Sequence, residues 1–348
     1  MALPFAAIAL AYDAVSRHDW TGTANAALSA RVDSIVWGTP GVSVVSELYP
    51  PIASIVAIIV PGGALGLGLA GSFVAGLTLQ LVLQSMKRKH FAAPIRAVFA
   101  VTLAATPAFA YLVTTNLEAA LGLMFFGLGM LDLVRFVTYA NTQAGFRAGI
   151  LFACSAFSDS TGLFTALIAA ATGALIIQSR PGARLANAVV VVFPTLALLG
   201  ALSLLGMAFG GGPLGMIRGT LEWDPQRAQE YAQAVLMMPE GLLYFAPTLL
   251  MLATAIVLRH TGVGLVAALL TGMTGLAFIV GLTPPGTAGN NFVMMMLLAV
   301  AVVPTATTRG HAALVIATSL LLWVAGWTSS LHLQAIHTWL GVFAGGIS

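Results

Sequence analysis

Long apolar runs, one after another and parted by short polar stretches, dominate this sequence. A helix needs about 20 predominantly apolar residues to cross a bilayer core. Apolar segments fall near 2–12, 52–85, 93–113, 117–138, 148–157 with 160–178, 185–209, 241–258, 262–282, 292–306 and 312–329. Of the 348 residues 59% are hydrophobic and only 7% charged, against about 25% charged in a soluble domain, so a soluble fold could not cover its surface. The sequence predicts an all-α, polytopic helical membrane protein of about 10–12 transmembrane helices. It forms one transmembrane domain over 1–348, with outer loops 13–50 and 208–240 carrying most of the polar sequence.

Two segments depart from a plain span. The first, near 2–12, rises only about 18 Å as helix, so either its start is trimmed or it crosses a thinned bilayer. No basic region precedes it, which argues against a secretory signal peptide. The 52–85 stretch is too long for one span and is expected to break at Pro61-Gly62-Gly63, its first part lying in the interface or re-entering. Residues 148–178 read as two short spans joined through Ser158-Asp159-Ser160-Thr161-Gly162.

Charge supplies an orientation. With the N-terminus in the cytoplasm and the spans alternating, Lys87, Arg88, Lys89, Arg96, Arg135, Arg147, Arg180, Arg184, Arg259 and Arg309 fall inside, ten of the 14 basic residues. Such a bias follows the positive-inside rule. Ten of the 11 acids fall outside and only Asp132 inside, so chemistry is expected at the outer face. The pI near 9.3 reflects a net charge of only +3. Lys87-Arg88-Lys89-His90, the densest basic cluster, lies beside a span and reads as a membrane anchor rather than a nucleic-acid site. Cys154 is the single cysteine, which excludes an intrachain disulfide and a thiolate metal cluster.

Within the outer loops, Leu28, Val32, Ile35 and Val36 share one helical face, as in a helix lying on the membrane surface. Asp224-Pro225 suits the start of a short helix over 225–236. Asp13 and Asp19, with His18 beside Asp19, follow the first span; a carboxylate at the mouth of a membrane cavity can act as a general base. Glu47 and Tyr49 precede Pro50-Pro51, which would hold them at a defined depth. Asp159 sits in an apolar stretch, where a carboxylate is costly unless it faces a cavity or partner, or else caps the helix starting at Ser160. Arg218 and Arg227 offer guanidinium forks suited to a phosphate, or to pairing with Glu222 and Glu230. His332 and His337 lack metal-pair spacing and read as interfacial, and Met294, Met295 and Met296 as packing residues. No phosphate-binding glycine loop, His-x-x-x-His pair within a span, Gly-x-Ser-x-Gly elbow or internal repeat is seen.

The order of features in residues 1–178 resembles the GT-C class of polytopic glycosyltransferases. Asp13 and Asp19 follow the first span, and the 14–46 loop leads to Tyr49-Pro50-Pro51-Ile52 entering the second. Lys87-Arg88-Lys89, Thr114-Thr115-Asn116-Leu117-Glu118 and Arg147-Ala148-Gly149-Ile150-Leu151 then follow in turn. The match departs in lacking an adjacent acid pair in the first loop and a soluble C-terminal domain. The resemblance implies a transferase that moves sugar from a polyprenyl-phosphate donor to an acceptor on the outer face of a bacterial inner membrane. Asp13 would be the first candidate base, Asp19 the second, and outer arginines would hold the lipid phosphate. The implied partners are membrane lipids, the polyprenyl-phosphate sugar and other proteins of a membrane complex; the requirement for a divalent metal is left open. Two alternatives stand beside it: a non-catalytic subunit of the same fold, and a secondary transporter using Asp159 or Asp132 as coupling acid.

Overall fold

A computed structural model of the chain describes residues 1–35, 48–139, 141–172, 184–208, 212, 225–237, 242–257, 261–281, 289–303, 305 and 308–345. The described residues are helical, with no strand among them. In chain order the helices are α1 (Leu3–Val15), α2 (Ala24–Asp33), α3 (Pro51–Ile59), α4 (Gly63–Arg88), α5 (Ala93–Ala104), α6 (Pro107–Thr115), α7 (Leu117–Tyr139) and α8 (Thr142–Ser158). There follow α9 (Gly162–Thr172), α10 (Arg184–Ala208), α11 (Pro225–Tyr231), α12 (Leu242–Val257), α13 (Thr261–Ile279), α14 (Gly289–Val302), α15 (Arg309–His332) and α16 (Gln334–Gly345).

Five of these, α4, α7, α10, α13 and α15, contain windows long and apolar enough to cross a membrane, as a multi-pass membrane protein requires. Helices α5 and α6, bent by 63° at their junction, pass the same test only as a pair, which makes six if they count as one span. The segment 93–113, read above as one span, is therefore bent into two helices, and the reason is local. Pro107 lacks an amide hydrogen and forces Thr106 out of the helical region, to φ −93° and ψ 128°. Four further apolar helices, within α1, α9, α12 and α14, have 10–17 residues, short of the about 20 that a bilayer core asks of one helix. Against the ten to twelve crossings expected from the sequence, the described residues hold five helices long enough to span, or six with the bent pair. The break foreseen at Pro61-Gly62-Gly63 separates α3 from α4. The helix expected over 225–236 begins at Pro225 but passes into a π-helical turn over Ala232–Met237.

Lipid-like burial organises the bundle around α14. Every residue from Asn291 to Ala301, the three methionines included, is buried, and α14 touches α4, α6, α7, α12, α13 and α15. A helix apolar all round has no solvent face and belongs in the interior. Its one polar side chain inside that run is satisfied: Asn291 donates to the Tyr244 carbonyl at 3.1 Å and accepts from Thr271 at 3.1 Å. Its C-terminus is capped from elsewhere in the chain. The Lys89 ammonium, just past α4, donates to the carbonyls of Val300, Ala301 and Val303 at 2.9, 2.8 and 2.6 Å. Three orphan carbonyls of a buried helix end thereby gain a cationic partner, which the helix dipole also favours.

The same end of the bundle carries an ion-pair cluster between α7 and α8. Arg147 binds Asp132 through Nε at 2.9 Å and Nη2 at 2.7 Å, and Arg135 adds a contact at 3.0 Å. We call this the basic end. At the opposite end lie the C-termini of α1 and α8, helix α2, and the N-termini of α4 and α7; this is the acidic end. Asp132 is nearly buried while both arginines keep a third or more of their side chains exposed, so water screens part of the attraction. Asp132→Asn is expected to cost about 1–2 kcal/mol, read as a lower thermal midpoint of the detergent-solubilised protein. An unchanged midpoint would show that the cluster carries no stability.

Candidate functional site

At the acidic end α1 stops where the chain turns left-handed. Arg17 (φ 56°) and His18 (φ 65°) are both non-glycine residues in the αL region, and the His18 amide donates back to the Asp13 carbonyl at 2.8 Å. Two such residues in succession are costly for L-amino acids and cluster at functional sites. The turn folds His18 and Trp20 back over Asp13. His18 Nδ1 lies 2.7 Å from one Asp13 carboxylate oxygen, and Trp20 Nε1 donates to the other at 2.8 Å. Trp20 is buried and meets Tyr12 edge to face, with ring centroids 4.9 Å apart. Trp339 of α16 closes over Tyr12 and Tyr111.

Asp13 and Asp19 have unlike surroundings. The Asp13 side chain is 10% exposed, and its imidazole partner is 80% exposed. Asp19 faces solvent and accepts the Thr21 amide, at 2.9 Å, and the Thr21 hydroxyl. Those two hydrogen bonds hold its carboxyl below the usual carboxylate range. The loop thus builds an acid–imidazole pair on Asp13 and a solvated turn on Asp19.

From Trp20 the loop is stitched to the bundle by polar contacts. The Thr23 hydroxyl donates to the Trp20 carbonyl and caps α2 by accepting the Ala26 amide. Asn25, wholly buried, reaches the break between α6 and α7: its Nδ2 donates to the Thr114 carbonyl at 3.0 Å and its Oδ1 accepts the Leu117 amide at 2.8 Å. Leu28 lies buried on the face foreseen for α2, and Val32 is partly buried against the same core. Arg31, one turn on, donates through Nη2 to Glu118 at 2.5 Å and to the Ser54 hydroxyl at 3.1 Å. This arginine therefore joins α2, α3 and α7 at one point.

Asp159 lies on that cluster. Its Cβ packs against Gly122, one turn beyond Glu118, so closely that a Cβ added there would sit 2.8 Å away. Its carboxylate accepts the Thr161 amide at 3.3 Å and the Thr161 hydroxyl, which folds the turn between α8 and α9. It caps this turn rather than a helix starting at Ser160; α9 starts at Gly162. Tyr49 is buried, follows the same geometry and donates to the Ala156 carbonyl at 3.3 Å. Burial pushes the Asp159 carboxyl up to about 6, opposed by Thr161 and reinforced by the Glu118 charge. The folded protein holds this proton to about pH 6, whereas an unfolded Asp releases it near 3.8. The folded form therefore binds more protons between these values, and stability falls as pH rises from about 4 to 6. Asp159→Asn removes that loss: relative to the native chain, the variant gains on the order of 3 kcal/mol at pH 7 over pH 4. Thermal midpoints of both proteins across this range test it, and parallel curves would refute it.

Of the residues singled out in the sequence, the structure groups Asp13 with His18 and Trp20, and Asp159 with Tyr49, Thr161 and the Arg31–Glu118 pair. Arg227 lies on α11, partly exposed. Glu47, Arg218, Glu222 and Asp224 lie outside the described residues. Asp132, weighed as a coupling acid, is held by two guanidinium groups at the basic end. Arg31, Glu118 and Asn25 join the site without having been chosen from the sequence. Their signal was the polar run Thr114–Glu118 between two apolar segments, which needs partners wherever helices break. Among the described residues no three His, Cys, Asp or Glu side chains group in a way that could hold a metal. In comparisons with protein-family models, curated proteins and solved structures, none matches this chain.

Proposed function

We propose that this chain is a GT-C-like membrane glycosyltransferase of a bacterial inner membrane. Its N-terminus is cytoplasmic and its acidic end faces the periplasm. It moves a sugar from a polyprenyl-phosphate donor to an acceptor hydroxyl, with an acid–base centre built on Asp13. The observation that carries this reading is the Asp13 carboxylate, nearly buried where α1 ends and bonded to a solvent-facing imidazole. A carboxylate buried only to cap a helix end would not spend two left-handed residues on holding a histidine outward. The orientation is supported by the lysines and arginines grouped at the other end. Arg218 and Arg227 are the cations proposed for the lipid phosphate; Arg31 is already engaged by Glu118.

The test is turnover of the full chain in lipid nanodiscs, supplied with a panel of polyprenyl-phosphate sugars and read by release of polyprenyl phosphate in mass spectrometry. The native chain is expected to consume at least one donor. Asp13→Asn should lower the rate about 10²- to 10⁴-fold, and the Asp13→Asn/Asp19→Asn double variant should be no worse. A native chain that leaves every donor intact overturns the proposal.

A further inference from the structure

Both oxygens of the carboxylate at the end of α1 already hold a partner, and the side chain is only 10% exposed. One oxygen accepts the Trp20 indole N–H and the other faces His18 Nδ1 at 2.7 Å. When ionised the carboxylate only accepts, so Nδ1 carries the hydrogen between them, and in the neutral ring Nε2 is then the lone-pair nitrogen. That nitrogen belongs to a ring 80% exposed at the acidic end. Its backbone is pinned by the αL pair and by the His18 amide bond to the Asp13 carbonyl. Asp19, next in sequence, is turned away into its own bonds with Thr21.

From this geometry we infer that His18 Nε2 is the general base of the site, and that Asp13 is its positioning residue, fixing the tautomer and stabilising the imidazolium that forms. The inference rests on the transferase reading for its reaction. The acceptor hydroxyl oxygen forms a bond to the anomeric carbon of the donor sugar. The bond from that carbon to the phosphate oxygen breaks, its electron pair leaving with polyprenyl phosphate. The hydroxyl proton passes to His18 Nε2 and from there to solvent. Arrangements in which a buried carboxylate orients an imidazole base are established acid–base chemistry.

Trp20 makes the proposal sharply testable. In Asp13→Asn the amide oxygen must stay on the Trp20 N–H, because the opposite flip would set two donors face to face. The Asn NH2 then points at Nδ1, which must accept, and the hydrogen moves to Nε2. The variant keeps its packing and presents a donor where the base should be. Nitrogen-15 spectra of histidine-labelled full chain in nanodiscs, assigned with His18→Gln and recorded with the ring neutral, should show an Nδ1–H ring in the native chain and an Nε2–H ring in Asp13→Asn. In the donor assay His18→Ala should lose about 10²- to 10⁴-fold in rate and regain part of it with added imidazole, which a merely structural histidine would not do. A native ring carrying hydrogen on Nε2 overturns the inference, as does His18→Ala turning over donor at the native rate. The expected spectra from a native chain that consumes no donor would uphold the oriented imidazole and reject the transferase reading alone.

Discussion

A helix that breaks inside a packed bundle frees backbone N–H and C=O groups that must find partners. This chain breaks repeatedly, and at several of these breaks a side chain from a distant segment supplies what is missing. Asn25 serves both sides of the α6–α7 junction. Trp327 of α15 donates to the Ala105 carbonyl at the α5–α6 bend, at 3.0 Å. Lys89 holds the last carbonyls of α14. Each contact satisfies backbone and at the same time fixes which helices are neighbours, so the architecture and the polar chemistry come from one set of residues.

That coupling explains what could be read in the sequence. Pro61-Gly62-Gly63 and the Ser158–Gly162 turn announce breaks through local chemistry, and the chain does break there. Met294–Met296 lie in an apolar run and pack as such. The bend at Pro107 was equally local, but the apolar run continues through it and hides it. Asn25 lies on a short, alanine-rich helix, and nothing near it in sequence names its partners 89 and 92 residues away. Arg31 and Glu118 are likewise 87 residues apart. Partnerships of that range depend on how the helices stack, which periodicity does not encode.

The two carboxylate centres at the acidic end differ in kind. Asp13 is bonded to an imidazole open to solvent. Asp159 is enclosed by Gly122, Thr161 and the Arg31–Glu118 pair, and its proton stays put under mildly acidic conditions. Helix α2 connects them: the loop that presents Trp20 and His18 also carries Asn25 and Arg31 into the bundle. Substitutions in α2 therefore reach both centres.

The Lys89 cap has a consequence for how the chain is made. Its acceptors lie 211 to 214 residues further along, so during synthesis the ammonium emerges long before the helix it holds. The contacts of α14 with α4, α6 and α7 therefore form only after all three have been made. The packing around residues 291–301 is thus complete only once that later segment has been made.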